Sequence, residues 1–217
     1  MSDHEHDHDE HDDDHDHEHD HDHEHDHDHD HGHGHEDDGP SAERAEHLAR
    51  RRLALSQVRQ YGDPVLRMRA NEVEAFDEEL VQLSERMIAV MHDADGVGLA
   101  ATQVGILRRL FVFNDEGEDR VVVNPVLTVT GKETEVDEEG CLSLGPVRMP
   151  VERALEVTLD GLDVQGGVLH LELEGLPARV AQHELDHLDG KLIIDRTDPE
   201  SRREAMAQLR PRLVLSR

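Results

Sequence analysis

The chain has a single cysteine, Cys141, and no tryptophan. One thiol excludes an internal disulfide, which fits a reducing cytoplasm. No run of 18 apolar residues occurs, so no transmembrane helix is expected and no membrane partner is assigned. The amino terminus is acidic and lacks an apolar core, so a secretory signal is not expected. It also lacks the arginines of a transit peptide. Residues 1–38 contain no Lys, Arg or aromatic residue, and Met1 is their only large apolar side chain. A segment of that kind cannot bury enough apolar surface to offset chain entropy, and disorder is expected there.

What that segment does contain is 15 of the 20 histidines and 19 of the 52 acidic residues. Alternating imidazoles and carboxylates offer many ligands for extra divalent metals such as Zn, Ni, Cu or Co. The neighbouring carboxylates favour the imidazolium form, so metal binding there is expected to weaken as pH falls. Residues 39–217 remain, enough for a single domain with a real core. Removing the 19 tail acids from a formal charge of −30 leaves −11, so the domain is itself acidic. That disfavours non-specific binding to a nucleic-acid backbone, and no DNA partner is expected.

Along the domain, Ser41-Ala42-Glu43-Arg44 reads as a helix start, with apolar positions at Ala45, Leu48, Ala49 and Leu53. Gln57 to Arg69 reads as extended, broken by Gly62-Asp63-Pro64. Asp77 can cap an amphipathic helix whose apolar face is Leu80, Leu83, Met87, Val90 and Met91. That helix is expected to end near Ala94. Short strand-forming runs follow at Leu110–Phe113, Val121–Val123 and Val126–Val129. Val157–Leu162 and Val168–Leu173 alternate around Gln165-Gly166-Gly167 as a hairpin does. A helix can begin at Pro177 and is ended by Asp189-Gly190. Leu192–Ile194 reads as a last strand. Residues 198–217 are assigned to a carboxy-terminal helix and chain end, capped by Thr197 with Glu200 or by Asp198 before Pro199. The pattern is α+β, with short antiparallel strands around a central metal-binding helix. It lacks the βαβ alternation of a nucleotide-binding sheet.

That central helix carries Gln182-His183-Glu184-Leu185-Asp186-His187. Two histidines four residues apart lie on one helix face, one turn apart, and can hold one divalent metal. Glu184 stands beside the first of them, placed to act as a general base on water. A third ligand is missing from the helix. Cys141, the only thiol, is a candidate, and two His with one Cys leave a fourth position open. Two other segments are Gly96-Val97-Gly98-Leu99-Ala100-Ala101-Thr102-Gln103 and Glu139-Gly140-Cys141-Leu142-Ser143.

In that order, G-x-G-L-A-A-x-Q, E-G-C-L-S and Q-H-E-x-D-H resemble the peptide deformylase family, over about Leu55 to Asp195. Tyr61-Gly62-Asp63-Pro64-Val65-Leu66-Arg67 is similar to that family's entry segment. The resemblance implies metal-dependent removal of the N-formyl group from formyl-Met nascent peptides, releasing formate. It implies Cys141, His183 and His187 as metal ligands and Glu184 as the catalytic acid–base. Gln103 and the backbone N–H of Leu142 are implied to stabilise the oxyanion. Substrate contacts are expected from Val97, Gly98, Gly140, Arg148, Leu176 and Val180. One divalent metal is implied, ferrous iron in the family, with Zn, Ni or Co also compatible with the ligands. Arg153 and Asp95 are read as a structural pair. The turn Leu144-Gly145-Pro146 departs from the Pro that commonly follows Cys-Leu-Ser-x in the family. In some members a carboxy-terminal helix docks on the ribosome, and Arg202, Arg203, Arg210, Arg212 and Arg217 suit such a role here. Two other classes compete: a zincin-type metalloendopeptidase sharing H-E-x-x-H, and a non-catalytic metal-binding protein suggested by the tail.

Overall fold

The Ser41 side chain caps α1 (Ala42–Gln57), accepting a hydrogen bond from the Arg44 N–H. The structure is a computed structural model and describes residues 41–209. The expectations for the His-rich segment 1–38 lie outside those residues. None of the four apolar positions expected on α1 is buried: Ala45, Leu48, Ala49 and Leu53 are exposed, whereas Ala54, Leu55 and Val58 pack into the core. Tertiary packing, not the longest apolar stripe, chooses the buried face. After α1 the chain is extended as expected, but Pro64–Arg67 closes into a 3₁₀ turn capped by Asp63.

Asp77 caps α2 (Glu78–Asp93) as its sequence indicates, accepting from Leu80 N–H at 3.0 Å. All five apolar positions named for this helix are buried. β1 (Gly98–Ala100) and β2 (Leu110–Asp115) then pair antiparallel. β3 (Glu118–Val129) unites the two runs expected as separate strands. It is bent by a register shift between Val123 and Val126, where Asn124 adopts φ +52. β4 (Thr134–Gly140) and β5 (Arg148–Ala154) form a separate two-stranded sheet. β6 (Glu156–Leu162) and β7 (Val168–Glu174) form the expected hairpin and complete the sheet β1-β2-β3-β6-β7. α3 (Gly175–Leu188) and α4 (Pro199–Leu209) follow. Of the two caps considered for α4, Asp198 before Pro199 is the one used, accepting from the Glu200 and Ser201 N–H groups.

One expected strand is absent. Ile193–Asp195 is a 3₁₀ turn, and its apolar side chains fill a core with Leu66, Met149 and Val151 under β5. A short apolar run is needed there for burial, and no neighbouring strand edge pairs with it.

The sheet separates two cores. Leu110 and Val112 face α2, while Phe111 and Phe113, one residue out of phase, pack with Ala178, Val180 and Ala181 of α3. Burial on both faces explains why β2 reads as a continuous apolar run. Ala100 and Ala101 are fully buried, and β1 and the turn after it lie against α3. Small side chains there let the helix approach the sheet closely. No helix among the described residues is long and apolar enough to cross a membrane.

Candidate active site

α3 carries His183 and His187 on one face, and the end of β4 delivers Cys141 to the same point. His187 Nε2 lies 3.2 Å from His183 Nε2 and 3.2 Å from Cys141 Sγ. One ligand atom from each residue falls within 4.8 Å of the others, the only such group of His, Cys or acidic side chains among the described residues. Cys141 is 7% exposed and His187 1%, so the ligand atoms are largely buried. His183 Nδ1 sits 2.9 Å from Glu139 Oε2. With Nδ1–H donating to that carboxylate, Nε2 keeps its lone pair for the cluster. Soft thiolate, two imidazoles and an outer carboxylate are a donor set that fits a divalent transition metal with an open position.

The outer shell is a buried charge network that the sequence reading did not assign. Arg153 donates from Nε and Nη2 to the two oxygens of Glu139, at 2.9 and 3.0 Å. Its Nη1 reaches Asp186 Oδ2 at 2.6 Å. Arg179 adds a bond to Glu139, and Arg196 grips Asp186 from the other side. The expected Arg153–Asp95 pair does not form. Asp95 instead meets His47 and Arg51 of α1. Burial pushes the Glu139 carboxyl up, but bonds from His183 and Arg153 outweigh it and hold the group at about 2. The one sequence signal for this role was Glu139 itself, a carboxylate two residues before the only thiol.

Glu184 is also buried, but without such partners. Its Oε2 has no hydrogen-bond partner among the described residues. Burial pushes its carboxyl up to about 7, despite the opposing charge of His183. A carboxyl poised there exchanges protons readily near neutral pH. Gln103 is fixed by accepting from Ala100 N–H at 2.8 Å through Oε1. Its Nε2 is thereby turned toward Ser143 Oγ at 3.3 Å and Cys141 Sγ at 3.7 Å. The Leu142 N–H, at the start of a 3₁₀ turn, makes no hydrogen bond among the described residues.

These groups open into a cleft of about 540 Å³. Every sequence-named substrate contact lines it: Val97, Gly98, Gly140, Arg148, Leu176 and Val180. Val97 and Leu176 are half or more exposed, whereas Val180 is buried. Gly145 takes φ +62 in the turn whose sequence departs from the family pattern. Gly98 is required by space: a Cβ there lies 2.5 Å from Glu184 Oε1 and 2.8 Å from Val180 Cγ1. Gly98→Ala is therefore expected to keep the fold but displace Glu184, lowering turnover by about 100-fold. Thermal melting and steady-state rates together check this; a variant at wild-type rate means Glu184 can move without consequence.

A buried His₂Cys cluster with a raised carboxyl beside it and N–H donors near it, at an open cleft, is the arrangement of a metallohydrolase of the HExxH kind. Comparison with known proteins makes the assignment specific. The profile of the family described as "Polypeptide deformylase" matches residues 55–203. A peptide deformylase from Thermotoga neapolitana is 50% identical over 148 residues, 68% of this chain and 90% of the relative. Peptide deformylase 1 from Corynebacterium efficiens is 48% identical over 162 residues, 73% of this chain and 96% of the relative. The crystal structure of the Thermotoga maritima peptide deformylase superposes with a TM-score of 0.64 at 48% identity, covering 65% of this chain and 97% of that one. A peptide deformylase from Synechococcus elongatus, in complex with actinonin, gives a TM-score of 0.67 at 40% identity, covering 70% and 84%. The chain belongs to the polypeptide deformylase family, enzymes that remove the N-formyl group from nascent peptides.

Proposed function

We propose that this chain performs deformylation with Cys141, His183 and His187 holding one divalent metal, and Glu184 moving the proton. The observation that carries the reading is the convergence of Sγ and two imidazole nitrogens within 4.8 Å beside a buried, unpartnered Glu184 oxygen. When bound, the metal supplies Lewis-acid polarisation of the formyl carbonyl and acidification of water. Glu184 Oε2 accepts the proton of the attacking water and passes it to the departing amine nitrogen. Gln103 Nε2 and Leu142 N–H donate to the carbonyl oxygen as it gains charge. The free edge of β1, with Val97 and Gly98, takes the extended peptide main chain to main chain, and Gly140 and Arg148 flank it. Leu176 and Val180 receive the methionine side chain. The family's ferrous iron is our choice of native metal, with Zn, Ni and Co fitting the same ligands.

The purified enzyme is tested on formyl-Met peptides and on internal peptide bonds. Formate release with a free amino terminus and no internal cleavage is the expected result. Internal cleavage points to an endopeptidase, and neither activity to a metal-binding protein.

We place the enzyme in the cytoplasm, as one domain from residue 39, with the segment 1–38 acting as a buffer of extra divalent metals. Deleting residues 1–38 is expected to leave turnover unchanged when metal is plentiful. Under chelator the truncated form then loses activity sooner than the full chain. Identical loss curves remove the buffering role.

Arg202 and Arg203 are exposed on α4 and do not line the cleft; Arg210, Arg212 and Arg217 lie outside the described residues. We assign this end to ribosome contact. Changing Arg202 and Arg203 to Glu is expected to weaken ribosome co-sedimentation, more at low salt, without altering turnover of short peptides. Unchanged co-sedimentation leaves α4 a packing element only.

A further inference from the structure

Residues 42–54 of α1 precede the segment that the family profile matches. They nevertheless reach the cleft. His47, Leu48 and Arg51 share one face of α1 by their spacing. Asp95 stands in the turn between α2 and β1 with φ +58, a conformation that Asp tolerates better than most residues. Both of its oxygens are engaged from α1: His47 Nε2 lies 3.0 Å from Oδ1, and Arg51 Nε 2.8 Å from Oδ2. The carboxylate thus pairs with Arg51, nearest at Nε, and Arg51 also lines the cleft. The Arg51 side chain is 43% exposed and pairs with no carboxylate other than Asp95 among the described residues. The other wall of the cleft is different. It is lined by Asp137 and Glu138 of β4, and its Arg148 donates to the Glu138 carbonyl at 2.9 Å.

We propose that Arg51 is a specificity-determining residue whose Nη groups bind a carboxylate side chain among the residues that follow formyl-methionine. This rests on the deformylase reading of the cleft. An extended peptide on the β1 edge sends alternate side chains to opposite sides. A carboxylate facing α1 meets Arg51, and one position along it faces the acidic β4 wall, which repels it. The preference is therefore confined to one register of positions. Arg51 is half exposed, so the gain is the modest one of a solvent-screened pair, about 2- to 5-fold in kcat/KM.

The test uses full-length, metal-loaded wild type, Arg51→Gln, Arg51→Lys and Arg51→Glu. Substrates are formyl-Met peptide amides bearing Asp or Asn in turn at the second, third and fourth residues, at low salt. In the wild type one position favours Asp over Asn by about 2- to 5-fold, carried by KM, and its neighbours do not. That ratio stays above one in Arg51→Lys, falls to one in Arg51→Gln and drops below one in Arg51→Glu. The ratio is internal to each preparation, so partial misfolding or metal loss lowers both peptides alike and leaves it intact. The proposal is overturned if no position favours Asp, or if the ratio is the same in all four proteins. A uniform slowing of every peptide with an unchanged ratio reduces Arg51 to a tether for Asp95, which also overturns it. If the wild type releases no formate from any peptide, the deformylase reading itself fails and the inference falls with it.

Discussion

Replacing Glu184 by Gln is expected to lower turnover by roughly 10²- to 10⁴-fold while bound metal is retained. The amide matches the carboxylate in shape but cannot accept a proton from water. Glu184 Oε1 lies close against the Gly98 backbone and Gln is isosteric with Glu, so the substitution disturbs chemistry rather than packing. Cys141→Ala provides the contrast, since losing the thiolate removes a ligand and metal content itself is expected to fall. Metal per chain separates the two variants, measured on protein lacking residues 1–38 so that the His-rich segment does not add to the count. Full metal and full activity in Cys141→Ala refutes the assigned ligand set. The same carboxyl sets the pH profile. Burial raises Glu184 from its ordinary 4.5 to about 7, and a bound cation pulls it back by favouring the ionised form. The active form is deprotonated, so kcat/KM is expected to fall on the acid side, with a midpoint between those two values. A midpoint at an ordinary carboxylate value means the oxygen is solvated during turnover.

How much of this was legible in the sequence depends on the range of the interaction. His183 and His187 were legible because helical geometry fixes residues four apart on one face. α2 was legible from the cap at Asp77 and its apolar spacing, since both signals are local. Cys141 lies over 40 residues from His183, and only the resemblance tied it to the metal. β4 was missed because Thr134–Gly140 is strongly acidic and all but one of its residues are exposed. It is a strand because β5 pairs with it over its full length, from Thr134↔Ala154 to Gly140↔Arg148. That register places Glu135 opposite Arg153 and Met149 opposite Glu139; Arg153 and Glu139 share one face, and their long side chains reach along it to meet, a relation that no local pattern records. The mistaken pairing of Arg153 with Asp95 has the same origin. Both residues border the site, but one lies beneath α3 and the other at the cleft rim beside α1.

Arg153→Met is expected to be the most destabilising single change outside the apolar cores, at about 3–5 kcal/mol. Arg153 is 5% exposed and bridges Glu139 to Asp186, so removing it leaves two buried carboxylates short of a cation. Arg179 and His183 still reach Glu139, and Arg196 still reaches Asp186, which sets the upper bound on the loss. The pH dependence follows from the direction of the shift. Glu139 is depressed from 4.5 to about 2 in the fold, so its contribution is complete above 4.5 and is lost as pH falls toward 2. Without Arg153 the burial penalty is less opposed, and the folded value rises. The variant's stability is then expected to fall less than the wild type's as pH drops through the carboxylate range, and its deficit to be clearest at neutral pH, where Glu139 must remain charged. Denaturant melts at pH 7 and pH 4 measure both effects, and the gap between the two proteins should narrow at the lower pH. The metal site should respond as well, because Glu139 orients His183 through Nδ1. Arg153→Lys keeps the charge but not the two-pronged contact, and is expected to recover only part of the stability. Equal melts for wild type and Arg153→Met at pH 7 remove the network from any account of how the ligand helix is held.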